Sequence, residues 1–137
     1  MAKDFEHWLG SDTPVLVAGG FIYDASTDFN AVLLASKIGV HSLYKFSDVD
    51  YIYSGDPRDE KHVKPIADMS WVEYLRLFDA SFDNVVHKPG QHVPVDLMAA
   101  KLAHENEISL TFTDGRDPSV MTKVLDGREI EGTRIHP

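Results

Sequence analysis

Apolar residues along the chain switch between short continuous or alternating runs and a spacing of three to four, with Gly, Pro and Asp punctuating each switch. That rhythm predicts strands alternating with helices. Pro14-Val15-Leu16-Val17-Ala18 is a short apolar run halted by Gly19-Gly20 and reads as a buried strand. After a loop, Ala31, Leu34, Ala35 and Ile38 recur at helical spacing. Ser26 or Thr27 is available to cap that helix, and Gly39 supplies a left-handed stop. His41 to Phe46 predicts a second strand, whose carboxyl end delivers a polar loop from Ser47 to Pro57.

Beyond a charged stretch from Pro57 to Lys64, expected to be mobile, Ser70-Trp71-Val72-Glu73 has the form of a capping box. The helix it opens should run through Phe78, with Trp71, Leu75 and Phe78 on one face. Asp79 to Gln91 lacks periodicity, contains Lys88-Pro89-Gly90 and predicts a loop. Pro94 then marks a helix start, followed by an apolar face of Val95, Met98, Ala99, Leu102 and Ala103. Ile108 to Thr113 alternates as a strand. Asp117-Pro118 begins a further helix carrying Val120, Val124 and Leu125, which Gly127 ends, and Gly132 to Ile135 reads as a short terminal strand.

A chain of 137 residues with 43% apolar composition is the size of one compact domain, so residues 1–137 are expected to form a single unit. Without cysteine there is no disulfide scaffold and no thiolate metal site, a composition that suits a reducing cytosol and predicts a cytoplasmic location. The first nine residues are charged and amphipathic, unlike a signal peptide or membrane anchor. A net charge of −9 argues against nucleic acid or an anionic membrane as partner. Nucleotide phosphates are a different case, because local backbone N–H groups, a helix dipole and a magnesium ion can hold them inside an acidic protein. The seven histidines are scattered without ligand spacing, so no metal site is expected.

Candidate chemistry gathers where the second strand ends, in Lys45-Phe46-Ser47-Asp48-Val49-Asp50-Tyr51-Ile52-Tyr53-Ser54-Gly55-Asp56-Pro57. In open α/β sheets, ligands bind outside the carboxyl ends of strands. This stretch resembles the Lys-Ala-Thr-x-Val-Asp-Gly-Val-Tyr-x-x-Asp-Pro signature of uridylate (UMP) kinases, within the amino acid kinase family. Gly19-Gly20, Ser26-Thr27-Asp28, Asn30-Ala31 and Pro94-Val95-Asp96 with Ala99-Ala100-Lys101-Leu102-Ala103 are similar to other parts of the carboxy-terminal half of that family, in the same order.

The resemblance implies a three-layer αβα fold with a mainly parallel sheet, acting in phosphoryl transfer from ATP with Mg2+ to UMP. By position it implies ATP contacts at Lys45, Ser47, Tyr53 and Asp56, and acceptor contacts at Gly19, Gly20 and Thr27. Asp28 is similar to the aspartate that orients catalytic lysines or the acceptor. Such chemistry rests on positioning and electrostatics more than on covalent participation. Each residue also has an ordinary use: Asp28 can flank a helix start, Tyr53 can pack in a core, Lys45 can be a solvated strand-end lysine, and Gly19, Gly20 and Asp56 can simply turn the chain.

This sequence departs from the family at Tyr51, which replaces a glycine, and across Gly20 to Ala25, where the acceptor loop differs. The amino-terminal half, with its glycine-rich loop and phosphate-binding lysine, has no counterpart. The expectation is therefore a nucleotide-binding half with nucleotides as partners, part of a homo- or hetero-oligomer, which transfers a phosphoryl group if a second chain supplies the amino-terminal half. The alternative is a non-catalytic nucleotide- or oxyanion-binding or assembly module on the same scaffold.

Overall fold

A computed structural model describes residues 15, 17–20, 22–55, 63–85 and 93–137. The first element, α1 (Thr27–Ile38), begins where Ser26 accepts a hydrogen bond from the Phe29 amide and ends at Gly39, with φ of 70°. Both signals were legible in the sequence. Asn30 is buried beneath this helix start, its Oδ1 accepting from Ile22 N at 2.9 Å and its Nδ2 donating to Ser26 O at 2.8 Å.

Strand β1 (Ser42–Ser47) follows, then a two-residue strand β2 (Ile52–Tyr53) that pairs antiparallel with β3 (Pro65–Ile66). Next come β4 (Asp68–Ser70), α2 (Trp71–Leu77), α3 (Leu97–Glu105), β5 (Ser109–Asp114), α4 (Ser119–Leu125) and β6 (Thr133–His136). The main sheet has the order β1-β5-β6-β4. Ser42 to Ser47 lie parallel and in register with Ser109 to Asp114, β6 runs antiparallel to β5, and β4 is parallel to β6. The result is the α/β architecture with a mostly parallel sheet and three layers that the resemblance implied.

The capping box at α2 is complete: Glu73 N donates to Ser70 Oγ at 3.2 Å, and Ser70 N donates to Glu73 Oε2 at 2.7 Å. The Ser70 N–H and the Ser70 hydroxyl, both donating to Glu73 Oε2, hold the Glu73 carboxyl below the ordinary range. The helix drives Trp71, Tyr74 and Leu75 into the core, with Phe78 packed alongside. Trp71 is fully buried, and its indole N–H donates to Ile108 O at 2.8 Å, so its large apolar surface is buried without stranding a donor. Removing a side chain the size of Leu75 from water contributes roughly 1.5–3 kcal/mol.

The structure corrects two expectations. The strand at Pro14 to Ala18 does not form among its described residues: Val15 and Val17 are 73% and 87% exposed. A strand exists by its ladder, and no described strand pairs with this segment; Pro14 and Leu16 lie outside the described residues.

The third helix starts at Leu97 rather than Pro94, because the Asp96 carboxylate takes the Ala99 amide at 2.9 Å and sets the cap there. Its buried face is Leu97, Ala99, Ala100 and Ala103, while Met98 is half exposed. Finally, α4 forms where expected but buries none of its residues, and Leu125 is 80% exposed. The charged stretch at Pro57 to Lys64 falls outside the described residues except at its end, as does residue 86 onward in the expected loop from Asp79 to Gln91.

Candidate functional site at the carboxyl ends of the parallel strands

Strand β1 alternates its side chains, so Lys45 and Ser47 share one face at its carboxyl end. Asp28 stands in the first turn of α1, the helix that leads back into β1. The two elements run in opposite senses, which brings Asp28 to the same end of the sheet as Lys45. Lys45 Nζ donates to both Asp28 oxygens, at 2.7 and 2.6 Å. Asp28 Oδ2 also accepts the backbone N–H of Asp96 at 3.0 Å. The side chains of Lys45 and Asp28 are 28% and 16% exposed, so the pair is mostly withdrawn from water without being sealed. Two residues singled out separately in the sequence thus form one unit, joined by Asp96 at the cap of α3.

The loop after β1 is a second cluster. Ser47 Oγ donates to Asp48 Oδ1 at 3.3 Å, and the Tyr53 hydroxyl donates to Asp50 Oδ1 at 2.9 Å. That bond, with burial and the nearby Asp50 charge, pushes the Tyr53 hydroxyl above its ordinary value. Tyr51 has no positive φ, so the family glycine's conformational freedom is not used here, and its N–H donates to Asp50 Oδ1 at 2.9 Å.

The floor of the loop is held from across the sheet. Ile52 N donates to Thr133 Oγ1 at 2.8 Å, and that same buried hydroxyl donates to Ile66 O. Gly115 N donates to Ser47 O at 2.8 Å, an approach so close that a methyl at Gly115 would sit 2.6 Å from Phe46 Cβ.

Sequence reasoning missed the contribution of β5. Ser47 is in register with Asp114, so the β5 carboxyl end faces the same region. Arg116 binds Asp114 with Nε at 3.0 Å from each oxygen and Nη2 at 2.6 Å from Oδ2. The guanidinium holds the Asp114 carboxyl below its usual range. Asp48 and Asp50 lie close enough to raise Arg116 further. Asp117 is also lowered, by hydrogen bonds from Ser119. The rim is therefore acidic with Arg116 as a local cation, a feature findable only by noticing that a parallel partner strand must end beside β1.

Thr27 is exposed at the first position of α1, next to Asp28. Gly19 and Gly20 are exposed ahead of it, and a methyl on Gly20 would lie 3.8 Å from Asn30 Nδ2. Asp56 lies outside the described residues.

The Amino acid kinase family profile matches residues 2–114, most of the chain. The chain belongs to the amino acid kinase family. It is 34% identical over 110 residues to a glutamate 5-kinase of Prochlorococcus marinus, covering 80% of this chain and 30% of that protein. It is 30% identical over 116 residues to a uridylate kinase of Hyperthermus butylicus, covering 85% of this chain and 49% of the relative. The solved UMP kinase from Bacillus anthracis superposes with a TM-score of 0.65 at 21% identity, over 82% of this chain and 41% of that one.

The chain thus spans less than half the length of these relatives. Family membership and the shared fold establish a kinase-like phosphotransfer scaffold. Among the described residues, no helix is long and apolar enough to cross a membrane.

Proposed function

We propose that residues 1–137 form the nucleotide-holding domain of a phosphotransferase, taking a phosphoryl group from ATP and passing it to a nucleoside monophosphate of the UMP type. The observation that carries this reading is the Asp28–Lys45 pair beside Ser47, at the carboxyl end of a parallel strand pair. In this reading Ser47, Tyr53 and Asp56 meet ATP, and Lys45 faces the phosphates while Asp28 fixes its position. Gly19, Gly20 and Thr27 lie on the acceptor side. UMP is the first acceptor to test because the uridylate kinase relative is matched over a larger share of its length than the glutamate 5-kinase.

Among the described residues, no group of three or more His, Cys, Asp or Glu is arranged to hold a metal. The reading therefore brings magnesium in on the nucleotide. Mg2+ suits the acidic rim of Asp48, Asp50 and Asp114, which disfavours bare phosphates. Because the chain spans less than half of its relatives, the remaining part of such a kinase would come from a further segment or a second chain, assembled in the cytoplasm where ATP is made and used.

A second reading, binding without catalysis, draws on the engagement of Lys45 by both Asp28 oxygens, which leaves the ammonium less free to follow a moving phosphoryl group. Isothermal titration of the chain with ATP, with and without Mg2+, tests both readings. Saturable heat that needs Mg2+ is expected, and no heat in either condition sinks the nucleotide assignment. Transfer assays with UMP and with glutamate, adding the complementary half of a uridylate kinase, then separate catalysis from binding.

A further inference from the structure

Tyr74 lies in the middle of α2, is fully buried, and has a hydroxyl that none of the candidate chemistry uses. It donates to Val95 O at 2.6 Å and accepts from Val95 N at 2.7 Å, so one side chain binds both backbone groups of a single residue. Val95 is itself fully buried and immediately precedes Asp96. With both peptide groups of Val95 held, the direction of the next N–H is fixed, and that N–H is the one Asp28 accepts at 3.0 Å.

Burial pushes the Tyr74 hydroxyl far above its ordinary range, and the charges of Asp28 and Asp96 add to the effect. The group therefore remains a protonated donor at any physiological pH.

We propose that Tyr74 is a positioning residue: by clamping Val95 from α2, it aims the Asp96 amide at Asp28 and so fixes the Asp28–Lys45 pair against the start of α3. The chain of contacts runs from α2 to the segment before α3, then to α1 and β1, and every link is a hydrogen bond of 3.0 Å or less. Asp96 serves twice in it, as its carboxylate caps α3 through Ala99 N while its amide reaches Asp28. The hydroxyl is fully buried, so losing it removes the partner that both Val95 backbone groups have in the core and leaves them to bear the cost of burial.

This inference rests on the nucleotide-holding reading only for its consequence in binding; the positioning itself is tested without ligand. Amide hydrogen exchange of the isotopically labelled chain would be compared for the wild type, Tyr74→Phe and Trp71→Phe. The last variant removes a different buried hydrogen bond from the same helix, that to Ile108 O. Tyr74→Phe should speed exchange at Asp96 about fivefold more than Trp71→Phe does, one hydrogen bond's worth of protection. It should also move the Lys45 ammonium resonance. Equal acceleration in the two variants, or an unmoved Lys45 signal, would overturn the clamp and leave Tyr74 a core residue.

If Tyr74→Phe does not fold, Asp28→Ala, which removes the acceptor of the Asp96 N–H, reads the same chain from its other end. Exchange at Val95 should stay slow while that at Asp96 rises, and loss of protection at both would refute the direction of control. A wild-type chain that fails to bind Mg2+ and ATP would defeat the nucleotide reading and leave the exchange result standing. Where binding is present, Tyr74→Phe should weaken it several-fold more than Trp71→Phe.

Discussion

The Asp28–Lys45 unit and the loop from Ser47 to Tyr53 leave the same strand within two residues of each other, yet they are built on opposite plans. In the first, partners 17 and 68 residues apart in sequence converge on one carboxylate, mostly shielded from water. In the second, the bonds that the loop's own side chains make are local: Ser47 to Asp48, Asp50 to the Tyr51 N–H and Tyr53 back to Asp50, while the backbone floor at Ile52 is held by Thr133. A side chain satisfied by its own loop exchanges those bonds for a ligand's without disturbing the fold. A side chain satisfied by three elements does not. The first arrangement suits a fixed electrostatic reference and the second an adaptable surface, and the two meet at Ser47.

The sharpest way to break the loop from below is Gly132→Ala. With φ of 146° and a built methyl overlapping the Phe112 carbonyl, this substitution should cost about 3 kcal/mol, read as a lowered urea midpoint, and should release β6 together with Thr133. Next in size is Lys45→Met, which leaves the Asp28 carboxylate partly buried with only the Asp96 amide. A loss of about 2 kcal/mol is expected, largely recovered in the Lys45→Met/Asp28→Asn double variant, because the cost lies in the orphaned charge. Recovery failing in that cycle would mean the two residues are not coupled.

Thr133→Val keeps the shape but removes the acceptor for Ile52 N and the donor to Ile66 O. It should cost about 1–2 kcal/mol and speed exchange at Ile52, while Lys45 and Asp28 resonances stay in place. The smallest effect belongs to Arg116→Ala on the exposed rim, where melting at neutral pH should fall only slightly. The readout there is titration. Asp114 has a lowered folded-state pKa, so its contribution is present above the ordinary aspartate range and fades as pH falls through the lowered value. In Arg116→Ala the Asp114 carboxyl should titrate at higher pH and the acid limb of the stability curve should flatten.

What could be read from the sequence was whatever a few adjacent residues decide. Ser26 and Gly39 bracket α1, Ser70 with Glu73 opens α2, and alternation marks β5, all from spacing within one element. Strands β2, β3 and β4 escaped because two or three residues carry no period, and they exist only through partners elsewhere. The start of α3 was missed for a similar reason: Pro94 looked like the first residue, while the cap that forms is Asp96.

At the candidate site, Asp28, Lys45 and Ser47 were legible as residues, but nothing in their spacing told that Asp28 and Lys45 bind each other, or that Asp96 joins them. Arg116 and Thr133 were invisible as site-forming residues, since their relation to the loop is made by β5 and β6 lying beside it. The strand at Pro14 to Ala18 has the pattern but no neighbour among the described strands.

The Thr133 hydroxyl, accepting from one strand of the small ribbon and donating to the other, has a consequence for what evolution or a saturation library could put there. A fully buried position facing a donor and an acceptor at once admits few alphabets: serine keeps both bonds and forfeits a methyl, valine keeps the volume and forfeits both bonds, and a charged residue has no room to hydrate. Survivors at position 133 should therefore be nearly confined to Thr and Ser, a narrow tolerance on a strand whose neighbour Arg134 faces solvent and should accept almost anything.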